Sequence, residues 1–404
     1  MPNNKRKIIN DPVFGFITIP SDLIYDLLQH SYLLRLTRIK QLGLTSYVYP
    51  GTQHTRFQHS LGALYLMTEA VSTLRSKGVE ITDDEADAVY AAILLHDVGH
   101  GPFSHTLENC FFPNISHEEL TIKICELLNE EMDGALNSTL DVLQDNHKKK
   151  FLREMVSGQL DMDRLDFIRR DSFFSGVSEG NIGSARIIKM LNIKDNKLVV
   201  EAKGIYSIEN FLMSRRLMYW QVYFHKTAYA AEKMIINTIR RAKYIQKSGT
   251  KLFAPPALQY FLDNQNPELN RSSLTNFLSL DDSDIWTSMK VWISQPDKVL
   301  STLCDGIVNR KLFKMDIGNK KIDDSKIHMI KSEIANRLNI SLEDAEYLTS
   351  SASVSQHIYK GDETNIGILY NNGNVKTIQE ASDMFDINVL SRKITKYYFC
   401  YYRY

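Results

Sequence analysis

The stretch "LLHDVGHGPFSH", residues 94–105, places three histidines and an aspartate directly after an apolar helical pattern. The preceding "TDDEADAVYAAILL" begins with Thr82 and Glu85 at the spacing of a capping box, so it predicts a helix that ends where the histidines begin. Two glycines and a proline then predict a turn. At such a helix end His96 and Asp97 can point the same way, which adjacent residues in mid-helix cannot do.

The sequence on both sides of this stretch predicts a mainly α fold. Apolar residues at helical spacing predict helices over residues 21–43 (with Ser21 as the cap and Gly43 as the stop), 57–78, 161–171 and 208–247. From about Asn266 the composition changes toward a smaller α+β lobe. We therefore predict a helical core in residues 1–265 and a C-terminal lobe in residues 266–404.

Three segments of this lobe predict strands. "KLFKMDI" and the closing "ITKYYFCYYRY" are rich in β-forming residues, and Asn372 with Gly373 separates two apolar runs as in a hairpin. Because "YYFCYYRY" would be poorly solvated if exposed, we predict that it is a paired strand or an oligomer contact.

The composition restricts the function. The 404 residues carry 48 basic and 48 acidic side chains, a balance that argues against a general nucleic-acid binder. The four cysteines form no C-x-x-C pair, which predicts reduced thiols and a cytoplasmic protein. No window approaches 18 apolar residues, so no membrane span is predicted. "HEELT" lacks the second histidine of a zinc-protease motif, and no phosphate-binding P-loop is present.

Six of the 11 histidines lie between His54 and His117, and this clustering favours a metal site. Imidazole and carboxylate groups are good ligands for a divalent ion. His59 on the preceding helix and one aspartate of "GQLDMDRLDFIRRD" could join His96 and Asp97. Taken singly, each histidine fits equally a hydrogen-bonded core residue, and the aspartates fit a solvated helix with ordinary ion pairs.

Two helical faces suit a nucleotide beside that site. Arg164, Phe167 and Asp171 fall on one face of the helix over residues 161–171. Arg215, Tyr219 and Tyr223 follow at i, i+4 and i+8, which suits phosphates next to a flat base. This second stripe alone fits a partly buried helix with long side chains equally well.

Three segments together resemble the signatures of the HD-domain phosphohydrolases: "RFQHSLG", "HDVGHGPFSH" and "DMDRLDFIRRD". More narrowly they are similar to the deoxynucleoside triphosphate triphosphohydrolases, and "YVYPGTQHTRFQHSLG" and "RRLMYWQVYFHK" extend the likeness. The resemblance implies metal ligands at His59, His96, Asp97 and Asp163 and catalytic histidines at His100, His105 and His117. It implies substrate contacts from Gln41, Leu42, Arg56, Arg164, Phe167, Asp171, Arg215 and Tyr223, to which the stripe adds Tyr219.

The implied reaction is hydrolysis of a deoxynucleoside triphosphate (dNTP) to a deoxynucleoside and tripolyphosphate. It would use one divalent ion (Mn, Fe, Mg, Ni or Zn), with His117 or His105 protonating the leaving 5′-oxygen. The resemblance further implies a homo-dimer or homo-tetramer and leaves room for a nucleotide effector. Two alternatives stay open: hydrolysis of another nucleotide phosphate ester, as by a 5′-nucleotidase or phosphodiesterase, and a non-catalytic nucleotide-binding protein.

Overall fold

The computed structural model describes residues 7–356, 366–383 and 394–403, and the fold in these ranges is mainly α, as predicted. No helix within them is long and apolar enough to cross a membrane. The four cysteines are free thiols, also as predicted. The α-helices are α1 Asp22–Gln29, α2 Ser31–Leu34, α3 Arg56–Ser76, α4 Asp83–Leu95, α5 Glu108–Phe111, α6 His117–Glu131, α7 Asn137–Leu143, α8 Lys150–Val156, α9 Met162–Ser175, α10 Ser184–Lys189, α11 Ile205–Met218, α12 Lys226–Lys247, α13 Pro256–Asp263, α14 Arg271–Leu278, α15 Asp282–Trp292, α16 Lys298–Val308, α17 Asp324–Leu338, α18 Leu342–Glu346 and α19 Ile378–Ala381.

The described strands form three small sheets. They are β1 Ile8–Asp11, β2 Gly15–Thr18, β3 Leu191–Lys194, β4 Lys197–Glu201, β5 Lys314–Gly318, β6 Thr349–Gln356, β7 Gly367–Leu369, β8 Val375–Thr377 and β9 Ile394–Tyr401. β1 pairs with β2, a second sheet has the order β3-β4-β7-β8, and a third has the order β5-β9-β6. β4 and β7 are parallel, and the other described pairs are antiparallel.

Three helices position the histidine-rich stretch and the residues near it. α3 packs against both α4 and α9. Thr55 and Gln58 form a capping box at the start of α3, and Thr82 and Glu85 form the predicted one at the start of α4. Asp161 caps α9. Because each cap fixes where its helix begins, the residues of the first turns of α3 and α9 and of the end of α4 are held at defined places.

The prediction of one helix over residues 21–43 is wrong in its continuity. Ser21 does cap α1, but His30 takes an extended conformation (φ −74°, ψ 138°), and its ring nitrogen accepts a hydrogen bond from the amide of Tyr32. His30 thus ends α1 and caps α2. Gly43 does not stop a helix; it opens a 3-10 turn, Gly43–Tyr47.

The long helix predicted over residues 208–247 is also interrupted. α11 ends at Met218, a π-helical turn covers Tyr219–Tyr223, and His225 caps α12 by accepting from the amide of Thr227 at 3.2 Å. Wide helical turns of this kind are rare and are frequent at functional sites. Here the turn carries Tyr219 and Tyr223, two of the residues that the sequence assigns to substrate binding.

The C-terminal strand predictions are confirmed. Asn372 and Gly373 lie in the turn between β7 and β8, and the aromatic tail forms β9, paired with both β5 and β6. The division into residues 1–265 and 266–404 stays a prediction. β7 in the second part pairs with β4 in the first, and residues 357–365 and 384–393 lie outside the described ranges.

Candidate active site

The turn that follows α4 is held by one hydroxyl group from α6. The side chain of Thr121 accepts from the amide of Gly99 and donates to the carbonyl oxygen of His96, each at 3.0 Å. A β-carbon on Gly99 would collide with backbone atoms of His117 and Thr121, so glycine is needed for this close approach. The motif glycine thereby brings His117, at the start of α6, next to the end of α4.

Three of the four predicted metal ligands, His59, His96 and Asp163, cluster at this turn, and Asp97 lies beside them. His59 Nε2 lies 3.1 Å from Asp163 Oδ1 and 3.3 Å from His96 Nε2, and the latter lies 3.5 Å from Asp163 Oδ1. The carboxylate oxygens of Asp97 lie 3.4 Å from His96 Nε2 and 3.6 Å from His59 Nε2. Ligand atoms about 2.1 Å from one shared ion are about 3.0 to 3.4 Å apart in octahedral or tetrahedral geometry. His59, His96 and Asp163 therefore form a donor set that fits a single divalent ion, and Asp97 adjoins it.

Hydrogen bonds on the far side of the two imidazoles suit ligation. His96 Nδ1 lies 2.6 Å from the carbonyl oxygen of Ile93, and His59 Nδ1 lies 2.7 Å from Asp166 Oδ2. Because a carbonyl or carboxylate oxygen only accepts, each Nδ1 carries the proton and donates. In the neutral ring each Nε2 then has a lone pair for a metal, and the second proton that His59 holds in the metal-free site would be displaced when the metal binds.

The charges of the cluster favour a cation. Burial alone lowers the pKa of His59, but hydrogen bonds to Asp163 and Asp166 outweigh it and raise that pKa to about 10. Burial raises the pKa of Asp163, but contacts with His59 and His96 hold it well below its usual range. Both shifts report an excess of buried negative charge, which a divalent ion would neutralise.

A second group of histidines lies beside the metal cluster. The ring centroids of His100 and His117 are 4.0 Å apart, those of His100 and His105 4.6 Å, and those of His105 and His117 4.9 Å. Glu108 links two of them: its carboxylate lies 3.0 Å from His117 Nδ1, accepts the His117 amide at 2.7 Å, and lies 3.3 Å from His105 Nδ1. Although burial opposes it, these contacts hold the pKa of Glu108 well below its usual range. An ionised carboxylate thus contacts the Nδ1 atoms of two imidazole rings.

His100 has a different environment. It is buried, its Nδ1 lies 3.2 Å from Asp97 Oδ1, and neither ring nitrogen forms a hydrogen bond within the described chain. Burial, together with the charge of Arg56, holds the pKa of His100 well below its usual range. A buried neutral imidazole without a partner is poised to bind a ligand.

A cavity of about 620 Å³ joins these groups. Its walls include the following predicted site residues: Gln41, Leu42, Arg56, Asp97, His100, His105, His117, Asp163, Arg164, Phe167, Asp171, Tyr219 and Tyr223. His59 is buried beneath it, and His96 lines a smaller adjoining pocket of about 170 Å³. Arg215 lines neither space, and its Nη1 donates to Gln159 at 3.2 Å.

The arginines near the cavity are only partly satisfied by carboxylates. Arg56 donates to Asp97, and Arg164 donates to Asp161. Burial lowers the pKa of Arg215, and the nearby Arg164 lowers it further. Since each guanidinium has five N–H donors, a polyanion could use the remaining donors and relieve the repulsion between Arg164 and Arg215.

The opposite wall offers polar groups framed by aromatic rings. Tyr223 donates to Asp171 Oδ2 at 2.8 Å, and His54 Nε2 lies 2.7 Å from Asp171 Oδ1. Phe167 packs edge-on against Tyr223 with centroids 6.1 Å apart. Gln41 Oε1 is buried and has no hydrogen-bond partner among the described residues. This wall suits a flat, hydroxyl-bearing ligand.

Sequence reasoning missed several residues of the site. Asp166 had a signal, because it lies one helical turn after Asp163 on α9, but its support of His59 was not anticipated. Asp161, which caps α9 and pairs with Arg164, belongs to the same motif. His54 and Glu232 reach the site through tertiary packing, and nothing in their local sequence indicates it.

Comparison with known proteins defines the class. Residues 56–169 match the HD domain, and residues 182–254 match the HD associated region. The structure is similar to the crystal structure of a phosphohydrolase from Bacteroides thetaiotaomicron, with a TM-score of 0.96 and 55% identity over 98% of this chain and 100% of that one. An uncharacterised Bacillus subtilis protein, YwfO, is 31% identical over 397 residues, 94% of this chain and 89% of its own. The chain belongs to the HD-domain family and is an HD-domain phosphohydrolase.

Within that class, several relatives carry a specific activity in their names. The human deoxynucleoside triphosphate triphosphohydrolase SAMHD1 is 30% identical over 288 residues. The matched region is 60% of this chain and 46% of the human protein, so the chain spans less than half of that relative's length.

Proposed function

We propose that this phosphohydrolase cleaves dNTPs to a deoxynucleoside and tripolyphosphate. The observation that carries the proposal is the cavity, lined by Asp163, that places cationic side chains and unpartnered polar atoms beside the candidate metal cluster of His59, His96 and Asp163. The similarity to a named dNTP triphosphohydrolase supports it. A homo-dimer or homo-tetramer and a nucleotide effector stay predictions.

The metal would be held by His59, His96, Asp97 and Asp163. When bound there, a divalent ion supplies a water of lowered pKa and polarises a phosphoryl oxygen. The identity of the ion is not fixed by this donor set, since imidazole and carboxylate suit Mn, Fe, Ni and Zn, and carboxylate suits Mg.

The arginines orient and neutralise the phosphates. Arg56 and Arg164 line the cavity and would contact phosphate oxygens with the guanidinium donors that their carboxylate partners leave free. Arg215, close to Arg164 but outside the cavity wall, would assist through its charge. Fixed cations beside a transferring phosphoryl group stabilise the charge that develops in the transition state.

His117 is the best-placed proton donor for the leaving 5′-oxygen. Its Nδ1 and its amide both contact Glu108, so the carboxylate can stabilise the imidazolium form and fix the ring orientation. His105 shares Glu108 but has a largely exposed side chain. His100, kept neutral by burial, would donate a hydrogen bond to a phosphate oxygen without changing its charge.

The aromatic and polar wall would select the deoxynucleoside. The unpartnered Gln41 Oε1 can accept a hydrogen bond from the 3′-hydroxyl, and Asp171, held by Tyr223 and His54, offers a second acceptor. Leu42 and Tyr223 would fill the space of a 2′-hydroxyl. Loss of a required hydroxyl should be discriminated more strongly than the presence of an extra one.

Metal-loaded protein should be incubated with dNTPs, ribonucleoside triphosphates, a deoxynucleoside monophosphate and a cyclic phosphodiester, with chromatographic identification of all products. We expect tripolyphosphate and deoxynucleoside from dNTPs. Asp163→Ala and His96→Ala should lose turnover and bound metal while the circular dichroism spectrum persists. Orthophosphate released from the monophosphate, with dNTPs intact, would replace this function by the nucleotidase alternative, and full activity of Asp163→Ala would reject the assigned metal site.

A further inference from the structure

A second cavity, which we call the basic groove, lies next to the active-site cavity and has no place in the mechanism above. It has a volume of about 680 Å³. Four of its wall residues are cationic, Lys233, Arg240, Lys243 and Lys247, and none of its wall residues is a carboxylate. The net charge of the whole chain is zero, so this concentration of one sign is local.

The four cations come from one face of α12. Arg240 and Lys247 follow Lys233 at intervals of seven residues, two helical turns, and Lys243 lies between them at i+3 from Arg240 and i+4 to Lys247. From Arg240 to Lys247 the stripe extends about 10 Å along the helix axis. The charges therefore form a line, which suits an elongated anion better than a single small one.

These charges lack carboxylate partners within the described chain. Lys243 donates to the backbone carbonyl of Cys110 at 2.6 Å, Lys233 lies over the ring of Tyr229 at 4.4 Å, and Arg240 donates to an amide oxygen of Asn237. Arg241, the next residue on the same helix, contrasts with them because it pairs with both Asp297 and Asp344. Arg241, outside the groove, is thus neutralised by carboxylates, whereas the four groove cations are not paired with one in the described part of the chain. The groove therefore keeps a positive charge.

The cations converge on a shared place. Burial raises the pKa of the Cys110 thiol to about 11, while Lys243, Arg240 and Lys233 each lower it, so all three act on one wall residue. Burial also lowers the pKa of Lys233 and that of Lys243. Partly desolvated ammonium groups gain more from an anion than fully hydrated ones.

The groove is continuous with the active-site cavity. His105 and Thr106 line both spaces, and the His105 side chain is largely exposed between them. The cationic groove thus opens beside the cavity that holds Arg56 and Arg164.

We propose that the basic groove is a second anion site that binds a linear polyphosphate. The ligand is either the tripolyphosphate released by the reaction, an assignment that rests on the proposed function, or the triphosphate chain of a second nucleotide. The line of charges, the absence of carboxylates in the groove wall and the shared His105 carry the inference. Asn109, Gln265 and Asn266 in the same wall supply further hydrogen-bonding groups.

The test is calorimetric titration of the intact metal-loaded protein with inorganic tripolyphosphate and, separately, with a non-hydrolysable dNTP analogue. We expect two tripolyphosphate sites. Arg240→Ala combined with Lys247→Ala should weaken one of them by roughly tenfold or more, since two charge-assisted contacts are lost, and Arg164→Ala should weaken the other. Lys290→Ala with Lys320→Ala, at exposed positions outside the groove, is the matched control and should bind as the parent does.

The two titrations show which ligand binds the groove, and their outcomes separate a failure of this proposal from a failure of the proposed function. If the dNTP analogue binds at two sites and one of them is lost in the Arg240 and Lys247 variant, the groove binds a second nucleotide. If the groove binds tripolyphosphate but not the analogue, its ligand is the reaction product. The variant should then show weaker product inhibition with an unchanged initial rate. A folded variant that keeps both tripolyphosphate sites, or a groove that binds a single-stranded oligonucleotide but no tripolyphosphate, overturns the proposal. If dNTPs are not hydrolysed but tripolyphosphate binding in the groove is detected, the proposed function is wrong and this inference is still supported.

Discussion

Replacement of Asp166 by asparagine tests how the proposed metal site is held. Asp166 Oδ2 accepts from His59 Nδ1 at 2.7 Å, and both side chains are fully buried. Asparagine keeps the size and an acceptor oxygen but removes the charge that makes the imidazole a stronger ligand. Loss of such an outer partner lowers metal affinity by about 10- to 100-fold, or about 1.4 to 2.7 kcal/mol. Because the bond is shielded from water, we expect the upper half of that range.

The same change also disturbs Arg170, and Asp11 provides the control for this effect. Arg170 is buried and pairs with both Asp166 and Asp11. Breaking a buried ion pair costs up to about 3 to 5 kcal/mol, and less where a second carboxylate remains, as in each single variant. Asp11→Asn should therefore lower the free energy of unfolding much as Asp166→Asn does. No contact between Asp11 and His59 is present in the described structure, so metal affinity should be retained.

The assay is titration of Mn²⁺ into metal-free protein, with thermal unfolding of the same metal-free samples. We expect both variants to unfold at lower temperature and only Asp166→Asn to bind the ion more weakly. Metal affinity within twofold of the parent in Asp166→Asn would refute the role of the carboxylate. An equal loss of affinity in both variants would show that the effect is one of general stability.

Three further predictions follow from single contacts. Tyr223→Phe removes the hydroxyl that donates to Asp171, so KM for a dNTP should rise roughly fivefold in steady-state kinetics while metal content stays the same; an unchanged KM would contradict the role of this pair. Burial raises the pKa of Asp282 to about 6, so the folded state holds the carboxyl proton more tightly than the unfolded state. The protonated Asp282 therefore stabilises the fold below about pH 4, and this stabilisation is lost as the pH rises through 6. Urea unfolding should show the free energy of unfolding falling between pH 4 and pH 7 relative to Asp282→Asn, and an equal difference at both pH values would count against it. Gly99→Ala, whose β-carbon would collide with the backbone of His117, should destabilise the fold by about 2 to 4 kcal/mol in chemical denaturation; a loss below about 0.5 kcal/mol would mean that the turn adapts.

The helix starts and the closeness of His96 and Asp97 to the end of α4 could be predicted because their causes are local. Thr82 and Glu85 cap α4 through residues three apart, and the positions of His96 and Asp97 follow from where that helix ends. The resemblance added Asp163 from a helix distant in sequence, and the structure brings it to within 3.1 Å of His59.

The interruptions and the supporting contacts could not be predicted, because tertiary contacts decide them. The apolar pattern continues through His30 and through Tyr219–Tyr223, yet the His30 cap breaks the first helix, and a π-helical turn and the His225 cap break the second. The basic groove could not be predicted from the sequence for the same reason. The spacing of Lys233, Arg240 and Lys247 is visible in the sequence, but the absence of facing carboxylates depends on which residues pack opposite α12.

Hydrolysis of a dNTP in ¹⁸O-labelled water, followed by ³¹P nuclear magnetic resonance and mass spectrometry of the products, tests the central claim most directly. Attack of water on the α-phosphorus predicts tripolyphosphate that carries one ¹⁸O atom and a deoxynucleoside that carries none. Label in the deoxynucleoside, or pyrophosphate or orthophosphate as the initial product, would contradict the proposed reaction.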